Sequence, residues 1–203
     1  RAIGRVRNNT QGVGTVFNNG ALAVCVGQAY DKEYEENQTI TLNDYLEMIE
    51  KKTGALLSLC MEIPALLANQ DEGVCSQLRK FGYDIGKGFQ IQDDILEIFS
   101  GVEAMGKSLG SDVIANKQTA LTLMARKLVP QDWNKFCNGQ GSQTIDEKLA
   151  GLRTFFEDNG VYAETTAMAD KYFKDALNAL AVVPNPGRED LVAYTNFIKN
   201  REY

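Results

Sequence analysis

The chain has no histidine. That absence removes Ser-His-Asp and Cys-His nucleophilic arrangements, His-ligated zinc and imidazole general bases together. Cysteine is sparse: Cys25, Cys60, Cys75 and Cys137 are widely spaced and form no Cys-x-x-Cys pattern, which argues against a zinc knuckle or a dithiol redox site. Cys25, Cys60 and Cys75 lie in apolar helical surroundings and read as buried thiols, at home in a reducing cytoplasm. No apolar run is long enough to cross a bilayer; the longest, 54–68, is interrupted by Glu62 and Pro64. Net positive charge is also missing. A formal charge of −6 disfavours a nucleic-acid backbone as partner and supplies no polybasic membrane anchor. There is no period-2 alternation, internal repeat or low-complexity tract. At 203 residues the chain reads as a single domain over 1–203 with ample apolar material for a core.

What is present is helical periodicity almost throughout. The pattern predicts helices over 18–34, 42–68, 71–100, 119–128, 144–158, 161–182 and 188–203. Thr41 or Asn43 can cap the second of these. Lys52-Thr53-Gly54 suggests a kink within it, and Pro64 a further bend. The stretch 132–143, around the single Trp133, reads as a polar surface connection, and Pro184-Asn185-Pro186-Gly187 as a turn. The class is all-α.

The chemistry concentrates between Gly86 and Lys117. On a helix, Gln90, Asp93, Asp94 and Glu97 follow i, i+3, i+4, i+7 and share one face. Three clustered carboxylates repel one another unless a cation sits between them, and hard oxygen ligands suit Mg²⁺, which binds through one or two carboxylates plus substrate phosphates. Lys107 and Lys117 follow in a glycine-punctuated loop, where they can neutralise such phosphates. Acidic helix faces are usually just solvated. Here Phe81, Tyr83, Phe89, Ile91, Ile95, Leu96, Ile98 and Phe99 embed the acids in apolar sequence, which a solvated face does not explain. Lys52 lies within an apolar helical run beside a kink that can aim its ammonium inward, whereas Lys51 reads as solvated. Gln28 and Asp31, one turn apart, either line a cavity or hold neighbouring helices together.

Phe89-Gln90-Ile91-Gln92-Asp93-Asp94-Ile95-Leu96-Glu97 resembles the second aspartate-rich motif of the trans-isoprenyl diphosphate synthases, the farnesyl and geranylgeranyl diphosphate synthase family. Gly27-Gln28 with Asp31, Lys52-Thr53-Gly54, and Gly106-Lys107 through Gly110-Ser111-Asp112 to Asn116-Lys117 follow in the family's order, so that the resemblance covers 16–122. The resemblance implies an all-α, antiparallel helical bundle around a central cavity and a homodimer. It implies Mg²⁺-dependent prenyl transfer, in which an allylic diphosphate condenses with isopentenyl diphosphate. In that scheme Asp93 is a direct Mg²⁺ ligand, with Asp94 and Glu97 acting through water or neighbouring groups. Lys52, Thr53, Gln90, Lys107 and Lys117 hold the allylic diphosphate, and Gln28 and Phe89 line the substrate cavity. Lys52, Asp93 and Lys107 are the catalytic candidates. Arg201 is similar to a basic C-terminal tail that approaches the second diphosphate; the alternative is a frayed, solvated end.

Two departures qualify the resemblance. Glu97 stands where the family usually has Asp. The first aspartate-rich motif and the Arg-Arg-Gly segment that accompany it have no counterpart before Gly27, so the chain is expected to lack its front part and not to elongate prenyl chains alone. A class I terpene synthase would carry an Asn/Asp–Ser/Thr–Glu metal triad in place of the second Asp-Asp motif. A non-catalytic partner subunit is the other alternative, against which the joint presence of Lys52, Asp93, Lys107 and Lys117 counts.

Overall fold

A computed structural model describes residues 10–100, 117–139 and 144–201. Every regular element among them is a helix. The order is α1 (Thr10–Tyr34), α2 (Leu42–Ile49), a π-helical turn (Glu50–Gly54), α3 (Ala55–Leu67), α4 (Glu72–Phe99), α5 (Ala120–Leu128), α6 (Pro130–Gly139), α7 (Ile145–Asp158), α8 (Val161–Ala179), a 3₁₀ turn (Leu180–Val182) and α9 (Gly187–Lys199).

Local capping chemistry sets most starts. Thr41, Thr119 and Thr144 each accept from the backbone N–H three residues on, while the side chain of that residue reaches back to the cap. Asp71 caps α4 by accepting from Val74 N–H at 3.0 Å. The backbone bond from Thr41 draws the Asp44 carboxyl below its ordinary range, and that from Thr144 does the same for Glu147.

Glycine contacts reveal how the long helices run. Gly20 lies on Leu59 and Gly27 on the backbone of Lys51 and Lys52, so α1 descends as the α2–α3 segment rises. Gly82 meets Ser58 and Gly86 meets Gly54, which makes α3 and α4 antiparallel. Gly88 against Phe173 and Phe99 against Tyr162 (ring centroids 4.4 Å apart) make α4 and α8 antiparallel in turn. The bundle is therefore antiparallel about α4, whose Phe81, Ile85, Ile91 and Ile95 are buried in the core with Tyr45, Leu121, Phe156 and Phe173. A Cβ on Gly27 would drive into the Lys52 backbone, so only glycine permits α1 to lie that close.

Two expectations are corrected and a third takes a definite form. The region 132–143 is not simply a polar connection: Pro130–Gly139 is helix α6, and Trp133 stacks at 5.8 Å on both Phe136 and Phe156. Of the three cysteines read as buried, only Cys75 is; Cys25 and Cys60 are exposed, because α1 and α3 are covered on one side only. The kink at Lys52-Thr53-Gly54 is a widened π-turn that continues the helix, with Gly54 at φ −61° and ψ −40°.

Candidate functional site: a carboxylate and lysine cluster beside the π-turn

The π-turn splays its side chains onto three neighbouring elements. Glu50 accepts from Lys87 of α4 at 2.8 Å. Lys51 pairs with Glu47 and sits 5.4 Å above the Tyr30 ring, so it too is engaged rather than merely solvated. Lys52 Nζ donates to Asp31 Oδ2 at 2.5 Å, and Gln28 Nε2 reaches the same oxygen at 3.3 Å. Thr53 Oγ1 donates to Gln90 Oε1 at 3.2 Å. Asp31 holds α1 to the π-turn through Lys52 and does so at a cavity edge, while Gln28 bonds to Asp31 within α1.

That cavity, of about 20 Å³, is bounded by Asp31, Tyr45, Lys52, Gln90, Asp94 and Lys117 among others. It has room for one water. A second cavity of about 820 Å³ opens between the C-terminal end of α4 and helices α5 to α7; Asp94, Glu97 and Lys117 line it beside Arg126, Trp133 and Phe156. Asp94 and Lys117 thus face both spaces.

The three acids of the motif differ in their contacts. Asp94 is buried and its Oδ2 accepts from the Tyr45 hydroxyl at 2.7 Å and from Ala120 N–H at 2.8 Å. It ties α4 to α2 and caps the N-terminus of α5, where the helix dipole favours a carboxylate. Asp93, one residue earlier, is partly exposed and ion-pairs with Arg201. Arg201 is not a frayed end: its side chain is 14 % exposed and its guanidinium lies 3.9 Å from the centroid of the Phe89 ring. Glu97 faces the larger cavity. Lys107 lies outside the described residues.

Among the described residues no three acidic, Cys or His side chains converge on one point. Asp93 and Glu97 nevertheless present hard oxygens on one helical face. That donor set suits a cation carried in on a diphosphate, which completes its own coordination with phosphate oxygens and water, better than one caged by protein alone.

Lys87 is a further, partly buried cation that sequence reasoning passed over. It contacts Glu50, approaches Asp84 at 3.7 Å and lies 4.8 Å from the Tyr172 ring centroid. Burial pulls its pKa down, but the bond from Glu50 and the surrounding acids outweigh that and leave it raised. No helix among the described residues is long and apolar enough to cross a membrane.

A family model described as polyprenyl synthetase matches residues 2–154. The geranylfarnesyl diphosphate synthase of Natronomonas pharaonis is 34 % identical over 182 residues, which are 89 % of this chain and 52 % of that protein. The geranylgeranyl pyrophosphate synthase of Geoglobus acetivorans is 33 % identical, over 89 % of this chain and 55 % of its own. Among solved structures, geranylgeranyl pyrophosphate synthetase from Pyrococcus horikoshii superposes with a TM-score of 0.87 at 26 % identity, covering 99 % of this chain and 63 % of that one. The chain spans about half the length of the curated relatives it matches.

Proposed function

The chain belongs to the polyprenyl synthetase family, and from that premise we propose that it carries the diphosphate-binding part of a prenyltransferase that condenses an allylic diphosphate with isopentenyl diphosphate into a longer trans-prenyl diphosphate. The observation that supports this reading is the meeting of Lys52 from the π-turn, Gln90 from α4 and Lys117 from ahead of α5 at one cavity, one residue from Asp93.

In this reading Lys52 and Lys117 take up diphosphate oxygens, with Lys107 joining them from the loop. Gln90 and Thr53, already bonded to each other, fix the polar edge. Asp93 and Glu97 would hold Mg²⁺, which supplies charge neutralisation at the departing diphosphate. The allylic carbon–oxygen bond breaks as negative charge grows on that diphosphate, and the lysines stabilise it there. The double bond of isopentenyl diphosphate attacks the resulting cation, and loss of one proton restores neutrality. With no histidine in the chain, the released diphosphate is the base. Asp94 sets the position of α4 against α2 and α5 and would act on the metal only through water. The family's homodimer and a reducing cytoplasm, suited to the exposed thiols of Cys25 and Cys60, complete the reading.

Calorimetric titration of an allylic diphosphate into the chain, with and without Mg²⁺, tests this. Binding that requires both Mg²⁺ and Lys52 supports it, and binding indifferent to both overturns it. Labelled isopentenyl diphosphate added to the same mixture reports on elongation. One carboxylate bank is expected to bind without elongating.

A further inference from the structure

Arg201 follows α9 directly, yet it reaches across to α4. Its guanidinium ion-pairs with Asp93, donates to the Phe89 carbonyl at 3.2 Å and stacks on the Phe89 ring. Three contacts to residues more than a hundred positions away hold Arg201 in place, against the alternative of a frayed end. We propose that Arg201 and a divalent cation compete for Asp93, so that the C-terminal guanidinium is a resident counter-ion that must leave before the metal diphosphate is held. The proposal rests on the assignment of Asp93 as a metal ligand.

The physical basis is repulsion between two cations at one carboxylate. The guanidinium that pairs with Asp93 Oδ1 fills part of the space and acceptor capacity a metal ion would use, and two cations packed against one partly buried carboxylate repel. Arginine suits this role because it stays charged at every accessible pH and its flat guanidinium can stack on an aromatic ring, which an ammonium does less well. The exchange keeps Asp93 neutralised whether or not a ligand is bound. It also lowers the metal's apparent affinity by the fraction of time that Arg201 is away.

The experiment uses the full 203-residue chain with a fixed excess of inorganic diphosphate and Mn²⁺ as an electron-paramagnetic stand-in for Mg²⁺, the protein-bound Mn²⁺ being read during titration. Arg201→Gln is expected to bind about tenfold more tightly than the parent, the gain anticipated if Arg201 holds Asp93 some nine-tenths of the time. Arg201→Lys, which keeps the charge but gives up the flat stack, should fall between them. Lys199→Gln removes an equal charge from the same tail, at a lysine paired with Asp170 at 2.8 Å, and should leave binding unchanged. Circular dichroism establishes that each variant is folded. If Arg201→Gln binds no more tightly than the parent, or if Lys199→Gln tightens binding as much, the competition does not exist. Asp93→Asn separates the two ideas: should it bind Mn²⁺ as well as the parent, the metal assignment itself is wrong, whereas its loss of binding alongside an unaltered Arg201→Gln removes only the competition.

Discussion

Lys52 Nζ and Asp31 Oδ2 are 2.5 Å apart, joining α1 to the π-turn at a point where both side chains are largely shielded from solvent. The carboxylate holds the ammonium at the rim of the small cavity. Gln28 supports Asp31 from one turn earlier.

Lys52→Ala should weaken allylic diphosphate far more than isopentenyl diphosphate. A charged hydrogen bond of this kind contributes about 1.5–3 kcal/mol, or roughly a 10- to 100-fold change in dissociation constant. Calorimetry with each substrate decides the matter; equal losses for both would identify Lys52 as a general surface charge.

Asp93 and Asp94, adjacent in sequence, should part company on substitution. Asp94→Ala leaves the Tyr45 hydroxyl and Ala120 N–H without the carboxylate that serves them, and each unsatisfied buried group costs about 1–3 kcal/mol. Urea denaturation should therefore show a larger loss for Asp94→Ala than for Asp93→Ala, whose partner Arg201 keeps its stack on Phe89 and its bond to the Phe89 carbonyl. Metal-dependent diphosphate binding should fail in Asp93→Ala while its helical circular-dichroism signal stays normal.

Gly27→Ala is expected to loosen the α1 contact with the π-turn, because the added methyl meets backbone rather than a movable side chain. Overpacking of this type costs about 1–3 kcal/mol. Chemical denaturation measures that cost, and weakened allylic diphosphate binding should accompany it, since Lys52 sits at the point of contact. Unchanged stability would mean that α1 is free to move away.

Lys87 gives a pH signature. Its pKa is raised in the folded protein above 10.5, so the stability it confers is complete below that value and disappears as pH climbs through the folded pKa. The melting-temperature difference between the parent and Lys87→Met should be constant from neutral pH to about pH 10 and shrink above it. A difference that already declines between pH 7 and 9 would assign the pairing with Glu50 no stabilising role.

Much of the fold was legible because the signals were local. The caps at Asp71, Thr119 and Thr144 lie within three residues of their partners, and the helix starts follow from them. Helix α6 was not legible, since its aromatic anchors, Trp133 and Phe136, find Phe155 and Phe156 on a later helix. The exposure of Cys25 and Cys60 escaped for the opposite reason: a helix apolar on all sides does not say which side is covered. Within the acidic motif, spacing placed Asp93, Asp94 and Glu97 on one face but could not distinguish them. Tyr45, Ala120 and Arg201, which do so, are 49, 26 and 108 residues away. The same distance hid the anchoring of Arg201.

The π-turn also takes up one residue more than an α-turn would, and α3 continues from it. On α3, Glu62 faces Arg79, which it grips through both carboxylate oxygens at 2.6 and 2.8 Å, and Ser58 meets Gly82. Deleting a single residue between Glu50 and Gly54 would leave a regular helix and preserve every downstream side chain in the sequence. With the extra residue gone, a regular helix would carry α3 on in its present phase, so the bulge that presents Lys52 can be removed while the interlock between α3 and α4 is kept.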